Sequence, residues 1–305
     1  MRKDIFSTYH PAVTFIYFVV VLGCSMFVMH PVFLSLSLAG GFCYNLYLNN
    51  VRAVKMGIKF YIPVFLLCAL INPMFNHKGV TILNYLPTGN PLTLESLLYG
   101  LATGVMLVTV LNWFTCYQKV MTSDKFIYLF GKLIPAMSLV LSMAFRFVPK
   151  FQTQLKHVTD SQRVMESESF DENNKRITNK NVIEKSKQGM HILSILVTWS
   201  LENSVITADS MRSRGYGLRG RTNFNIYRFD TRDKIMSVVL GITSFIVLAG
   251  IFTGQVKFLY YPMLTEINIT AQTLIIYISY GILCLTPWLI NKMEDIKWHY
   301  LRSKI

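Results

Sequence analysis

The chain has 305 residues, of which 52% are hydrophobic and only 15% charged, with a net charge of +14. Average soluble proteins are about 25% charged, so a soluble fold of this size could not cover its surface with so few charges. The composition predicts an integral membrane protein and excludes a disordered chain, a coiled coil and a disulfide scaffold.

Charge-free apolar runs mark the predicted spans, since a bilayer core needs about 20 apolar residues per helix. The first run is too long for the core of a signal peptide and is interpreted as a retained span. Tyr and Trp residues near span ends, Trp113 among them, are interpreted as interfacial anchors. The predicted spans are Pro11–Met29, Pro31–Leu48, Phe60–Asn76, Ser96–Gln118, Ile235–Val256 and Ile267–Asn291.

Two further apolar runs are interrupted by residues that are unusual in a span. Gly79–Leu94 contains two prolines, a glycine and an asparagine, which is typical of a loop that dips toward the membrane surface. Phe126–Phe145 holds Lys132 and Pro135 near its middle. Its apolar composition alone leaves open whether it crosses the membrane or only dips into it.

The positive-inside rule favours a layout in which Phe126–Phe145 stays at the cytoplasmic surface. If this run crossed, the segment from Arg146 to Lys234, with its 16 Lys and Arg residues, would lie outside. If it does not cross, all basic residues except Lys78 and Lys257 face the cytoplasm. The sequence therefore predicts an all-α integral membrane protein with about six transmembrane helices and both termini cytoplasmic. A helical cytoplasmic region is inserted between spans four and five.

The insert has a helical pattern in two parts. Apolar spacing predicts helices at Arg146–Glu168 and Val182–Arg214, separated by a polar turn region at Asp171–Asn181. An insert of this length in a small protein is seldom a passive connector. The predicted regions are residues 1–125 with four spans, residues 126–234 with an interfacial helix and the cytoplasmic helices, and residues 235–305 with two spans and a basic tail.

The sequence lacks the motifs of several chemistries. It has no GxxxxGK[ST] P-loop, and no HExxH, GxSxG or Asp-rich diphosphate-binding motif. None of the 16 Asp and Glu residues lies inside a predicted span, whereas ion-coupled carriers need an ionisable group at membrane depth. The five cysteines and six histidines show no metal-ligand spacing, so neither a metal nor a cofactor is expected.

The densest basic cluster follows the second predicted helix of the insert. Gly215 can supply the left-handed residue that ends this helix. Arg214 then projects from the last turn, where the helix dipole favours a cation and a guanidinium can bind acceptors on a partner protein. A basic patch that only meets anionic lipid is the alternative. The cluster consists of Arg212, Arg214, Gly215, Gly217, Arg219, Gly220 and Arg221.

Three short segments, in this order, resemble a known family. Pro135 precedes Arg146–Pro149 (RFVP), which resembles an Arg-Phe-Ile-Pro entry to a first coupling helix, and Ala208–Gly217 (ADSMRSRGYG) resembles a second Ala-Arg-Gly-type motif. The combination is similar to the transmembrane T component of energy-coupling factor (ECF) transporters. These are bacterial and archaeal importers of vitamins and metals related to ABC systems, and the resemblance covers nearly the whole chain.

The resemblance implies a division of labour among subunits. A T component spans the cell membrane of a prokaryote, binds two cytosolic ATP-binding cassette ATPases through two crossed coupling helices, and holds a substrate-binding S component within the lipid bilayer. ATP-driven movement reorients the S component and releases a vitamin or related micronutrient inside. The chain itself would be no enzyme, and nucleic acid is not an expected partner.

The resemblance also implies which residues contact the ATPases. The second coupling motif lies within Ala208–Gly217, and the first falls on Ser161–Glu166. In the first motif the usual Ala-Arg-Gly positions hold Val, Met and Glu, so either the preceding Arg takes over the charge role or this contact is mainly apolar. The implied contact residues are Gln162, Arg163, Ser213, Arg214 and Gly215.

Two other function classes remain open from the sequence. One is a membrane-embedded enzyme that acts on a lipid or isoprenoid substrate, which needs clustered carboxylates for Mg²⁺ or an activated nucleophile. The other is an ordinary ABC permease, which carries the substrate pathway itself. In the ECF interpretation the transported substrate is chosen by the S component, so this chain does not identify it.

Overall fold

The computed structural model describes residues 4–49, 51–85, 91–131, 135–168, 182–216, 227–266 and 269–303. The structure is 81% helical, and the described residues form nine α-helices and one two-stranded hairpin. A short 3-10 helix, Phe6–Thr8, precedes them. In chain order the elements are α1 Pro11–Phe27, α2 Pro31–Leu48, α3 Val51–Phe75, β1 Ile82–Tyr85, β2 Pro91–Thr93, α4 Leu94–Val120, α5 Ser123–Gly131, α6 Pro135–Glu168, α7 Val182–Ser213, α8 Thr231–Phe252 and α9 Ala271–Arg302.

Five of these helices are long and apolar enough to cross a membrane. They are α2, the part of α3 from Gly57 to Phe75, α4, α8 and α9. The apolar helix α1 has 17 residues, which corresponds to about 26 Å against a hydrocarbon core of about 30 Å. The prediction of a mainly helical, multi-pass membrane protein is confirmed at this level.

The chain divides into two compact units. Unit 1 comprises Met1–Phe126 and Tyr227–Ile305, and unit 2 comprises Ile127–Ile226. Helices α1 to α4, α8 and α9 belong to unit 1, α6 and α7 belong to unit 2, and α5 spans the boundary. The chain therefore leaves unit 1 within α5, after Phe126, and returns to it at Tyr227, just before α8.

The segment Gly79–Leu94, predicted as a loop that dips toward the membrane surface, contains an antiparallel hairpin, so the fold is not purely helical. Ile82 lies opposite Thr93, and Tyr85 lies opposite Pro91. Of the residues that argued against a span, Pro91 lies in β2. Residues 86–90, which join the strands, lie outside the described residues.

The apolar run Phe126–Phe145 is divided between two helices. Helix α5 ends at Gly131 and α6 begins at Pro135, where a proline fits because the first turn of a helix does not use its backbone N–H. Helix α6 thus starts before the predicted Arg146. The second helix of the insert is found as predicted to within one residue, and the predicted turn region at 171–181 lies outside the described residues.

A cluster of buried aromatic rings forms the core of unit 1. Phe6 lies 5.2 Å from Tyr17 and 6.1 Å from Tyr44, and Trp113 lies 6.1 Å from Tyr17, measured between ring centroids. All four rings are almost fully buried, and Trp113 Nε1 donates a hydrogen bond of 2.9 Å to Ser37 Oγ. The interpretation of Trp113 as an interfacial anchor was wrong, because its indole packs inside the bundle.

One end of unit 1 is held by contacts of the N-terminal residues. Asp4 accepts hydrogen bonds from Tyr44, near the end of α2, and from Asn291 of α9. Lys125, just after α4, donates to the backbone of the same N-terminal segment, and Asp233, in the first turn of α8, accepts from it. The start of α1, the end of α2, the end of α4 and the start of α8 therefore meet at this end.

The opposite end contains the short connections between successive helices. Tyr260, in the α8–α9 connection, donates to the carbonyl of Met29 at 3.0 Å, in the α1–α2 connection. Asn76, just after α3, donates to the hydroxyl of Tyr261 at 3.0 Å. The six helices of unit 1 thus alternate in direction along the chain.

Close helix packing in unit 1 depends on glycine. A Cβ atom placed on Gly40 of α2 would lie 2.8 Å from the Cβ of Cys284 in α9, which is closer than two carbon atoms can approach. By contrast, a Cβ on Gly23 of α1 would meet no other atom within 4 Å. Small residues are what allow helices in a membrane to approach this closely.

We expect Gly40→Ala to destabilise the protein, although alanine is the better helix former. Overpacking costs about 1–3 kcal/mol and exceeds the gain of about 1 kcal/mol in helix propensity. Thermal unfolding in detergent should show a lower midpoint for Gly40→Ala and an unchanged or raised midpoint for Gly23→Ala. Equal midpoints for the two variants would contradict the tight α2–α9 contact.

Candidate functional site

Helix α7 ends in a Schellman motif. Gly215 has φ 78°, in the left-handed region that favours glycine. The amide of Tyr216 donates to the carbonyl of Met211 at 3.1 Å, and the amide of Gly215 donates to the carbonyl of Arg212 at 3.0 Å. These two hydrogen bonds define the motif. The prediction that Gly215 ends this helix is confirmed.

The residues just before Gly215 present polar groups at the helix end. Ser213 Oγ donates to the carbonyl of Ser210 at 2.9 Å, and the amide of Arg214 donates to the carbonyls of Ser210 and Met211. The side chains of Arg212, Ser213 and Arg214 are exposed. Arg214 has no ion-pair partner among the described residues. Its guanidinium is therefore available to an acceptor on another molecule.

The second predicted set of contact residues lies on α6. Arg163 Nη1 lies 3.8 Å from Asp160 Oδ1, and both side chains are at least 70% exposed. An ion pair this exposed contributes little to the stability of the fold, and it does not hold the arginine side chain in one position. Gln162 is half-buried, whereas Val164 and Met165 are exposed beside Arg163. This stretch of α6 therefore offers both a cation and an apolar surface.

The two helices of unit 2 pack through an aromatic pair. The ring of Phe147 on α6 stacks on Trp199 of α7, with 5.7 Å between centroids and 26° between planes. Offset stacking of this kind contributes about 0.5–1.5 kcal/mol beyond the burial of area. Leu196, one turn before Trp199, is buried as well. The segment Arg146–Pro149, expected from the sequence to be a helix entry, lies in the interior of α6 and contributes the ring that contacts α7.

An open cleft of about 740 Å³ lies beside this aromatic pair, between α6 and α7. Lys150 and His157 line it from α6, and Glu202 and Asn203 line it from α7. The lining is of mixed charge. Within the part of the chain that the structure describes, no three His, Cys, Asp or Glu residues are placed to hold a metal ion.

Helix α7 also carries an exposed apolar stripe. Its residues are spaced by three or four positions, so they share one face of the helix. All are roughly half exposed or more. Exposed apolar surface of this extent marks contact with another protein or with a membrane. The stripe consists of Met190, Leu193, Val197, Leu201 and Val205.

The predicted contact residues form two separate sets. One set ends α7, and the other lies on α6, with no hydrogen bond or ion pair between them among the residues described. The sequence did not predict the pairing of Phe147 with Trp199. Aromatic residues in both predicted helices were the available signal, but nothing in the sequence states which ring meets which.

No protein-family model matches the chain, and no curated protein matches its sequence. The resemblance to ECF T components therefore depends on the short sequence segments at Pro135, Arg146–Pro149 and Ala208–Gly217.

Replacing Gly215 by alanine should loosen the end of α7, because a side chain in the left-handed conformation costs about 1 kcal/mol or more. Hydrogen exchange at the amide of Tyr216, which donates to the Met211 carbonyl, should then accelerate by about fivefold. The matched control is Gly189→Ala in the same helix, where an added Cβ would meet no atom within 4 Å. In this control, exchange at the end of α7 should be unchanged or slower than in the wild type. Unchanged exchange in Gly215→Ala would contradict the Schellman cap.

Proposed function

We propose that the chain is the membrane-spanning coupling subunit of an ECF-type importer in the cell membrane of a prokaryote. Helices α1 to α4, α8 and α9 cross the membrane with both termini in the cytoplasm, and unit 2 is the cytoplasmic insert between spans four and five. Two ATP-binding cassette ATPases bind at the two sets of contact residues, and a membrane-embedded S component supplies the vitamin or related micronutrient. The chain performs no chemistry of its own.

The observation that carries this proposal is the capped end of α7 with its exposed arginine. A Schellman cap gives the helix a defined end, so Arg214 is presented from a rigid element rather than from a loose loop. The planar guanidinium can bind carboxylates or carbonyl groups of an ATPase through two parallel hydrogen bonds. A force applied at this point is transmitted along the helix axis.

The packing of α6 against α7 supports a coupling role for both helices. Their contact includes the stacked rings of Phe147 and Trp199 and the buried Leu196. Packed interiors are dense and transmit strain instead of absorbing it. A displacement of one coupling helix is therefore passed to the other.

The distribution of charge in unit 1 supports the proposed sidedness. Lys119 and Lys125 lie at the end where α4 ends, and Arg232 and Lys234 lie where α8 begins. At the opposite end of unit 1, the described connections between helices contain two basic residues, Lys78 and Lys257. Because positive residues favour the cytoplasmic side, both connections to unit 2 would leave on that side.

The exposed apolar stripe of α7, from Met190 to Val205, supports a partner with an apolar surface. An S component is itself a membrane protein, so its surface is rich in apolar side chains. Burial of such a stripe gives about 25 cal/mol for each Å² of apolar surface removed from water. This driving force needs no specific charge pairing, which suits a subunit that holds a mobile partner.

The membrane-embedded enzyme has less support from the structure. An apolar groove of about 360 Å³ lies between α2, α3 and α4, but its described lining offers only Tyr61 and Asn112 as polar side chains. Neither residue type binds Mg²⁺ as a carboxylate would, and neither is placed beside a base that would activate it. The groove fits an apolar chain without supplying chemistry for it.

Reversing the charge at Arg214 should strongly reduce uptake, because the ATPase is no longer bound at the end of α7. A glutamate at this helix end repels the acceptors on the ATPase and the negative end of the helix dipole. In membranes, Arg214→Glu should insert at the wild-type level, lose copurifying ATPase and show uptake reduced by about 10-fold or more.

The matched control is Lys297→Glu, an exposed charge reversal near the end of α9, where no partner contact is proposed. Uptake should stay within about twofold of wild type in this control, since exposed charges far from a contact change binding little. Normal uptake in Arg214→Glu would overturn the assignment of the α7 end as an ATPase contact.

A further inference from the structure

The N-terminal segment Asp4–His10 is packed into one end of unit 1. Its short helix places Phe6 with no exposed surface among the rings of Tyr17 and Tyr44. A terminal segment is usually poorly ordered unless other contacts hold it down. Here both apolar burial and hydrogen bonds to several helices hold it.

Asp4 joins this segment to α2 and α9. Its Oδ1 accepts a hydrogen bond of 2.6 Å from Asn291 Nδ2, and its Oδ2 accepts one of 3.1 Å from the Tyr44 hydroxyl. The amide of Ile5 returns a hydrogen bond of 2.9 Å to Asn291 Oδ1. Asn291 is fully buried, so both of its polar atoms depend on these partners.

Lys125 joins the same segment to the end of α4. Its ammonium donates to the carbonyl of Ser7 and, at 2.9 Å, to the carbonyl of Val120, the last residue of α4. Lys125 is 6% exposed; burial lowers the pKa of its ammonium, and the negative charge of Asp4 acts against this. Two residues later the chain passes into unit 2.

Asp233 joins the segment to the start of α8. Its Oδ1 accepts a hydrogen bond of 2.9 Å from the amide of His10, and its Oδ2 accepts one of 3.0 Å from the amide of Asp230. The second bond belongs to a capping box that fixes the first turn of α8. Asp233 is buried and lies a few residues after the chain returns from unit 2.

We propose that the segment Asp4–His10 is an anchor that fixes both chain connections of unit 2 to the membrane bundle, with Lys125 and Asp233 as the positioning residues. This inference rests on the proposed coupling function. Movement of unit 2 can be transmitted to the membrane bundle only if the two chain connections between them are held in place. Loose connections would let unit 2 follow the ATPases without passing movement to the bundle.

The test uses the reconstituted complex with its ATPases and S component, and it measures substrate transported for each ATP hydrolysed. Lys125→Met keeps the buried stem and removes the ammonium. We expect ATPase binding and ATP hydrolysis within about twofold of wild type, and transport per ATP reduced by at least about fivefold. Lys125→Arg, which keeps the charge and the donors, should restore most of this ratio.

The matched control is Lys119→Met. Lys119 also links helix ends at this end of unit 1, since its ammonium donates to the carbonyl of Leu48 and, at 2.8 Å, to Asn49 Oδ1, but it does not contact the N-terminal segment. Its transport per ATP should equal that of the wild type. A loss equal to that of Lys125→Met would show general weakening of the bundle and overturn the anchor.

Asp233→Ala tests the second connection and replaces Lys125→Met if that variant does not fold. It should reduce transport per ATP while ATP hydrolysis persists. A folded, assembled variant of either residue with the wild-type ratio would overturn the inference and leave the proposed function standing. Absence of any ATPase from the purified wild-type complex would overturn both.

Discussion

The buried hydrogen bonds of the N-terminal segment decide which helix ends meet in unit 1. Asp4 binds Tyr44 and Asn291, while Lys125 and Asp233 bind the backbone of the same segment. Lys125, Asp233 and Asn291 are buried, so each bond is favoured over leaving the buried polar group unpaired. The arrangement brings the end of α4 and the start of α8 together. Within unit 1, the residues next to both chain connections to unit 2 therefore lie at the same end of the bundle.

The two units of the chain supply different structural features. Unit 1 supplies the long apolar helices, and unit 2 supplies two packed helices with a capped end, an exposed arginine and an apolar stripe. Each feature is suited to contact with another protein. The proposed role, transmission of force between an ATPase and a substrate-binding partner, would use all of these features.

Local and compositional features could be predicted from the sequence, whereas pairings between distant residues could not. Long apolar runs and sparse charge are sufficient to predict membrane helices, and Gly215 could be identified because few residues other than glycine adopt its conformation. The bond from Asn291 to Asp4 joins residues 287 positions apart, and no local pattern encodes that partner. Trp113 was misplaced for the same reason, since its position near a span end did not reveal Ser37 on the facing helix.

The most direct test of the central claim is the sidedness of unit 2. In a chain whose five native cysteines have been replaced, Arg214→Cys and Lys257→Cys would be labelled in intact cells with a membrane-impermeant thiol reagent. We expect the cysteine at position 257 to react from outside and the cysteine at position 214 to react only after the membrane is opened. Labelling of position 214 from outside in intact cells would contradict a cytoplasmic coupling unit.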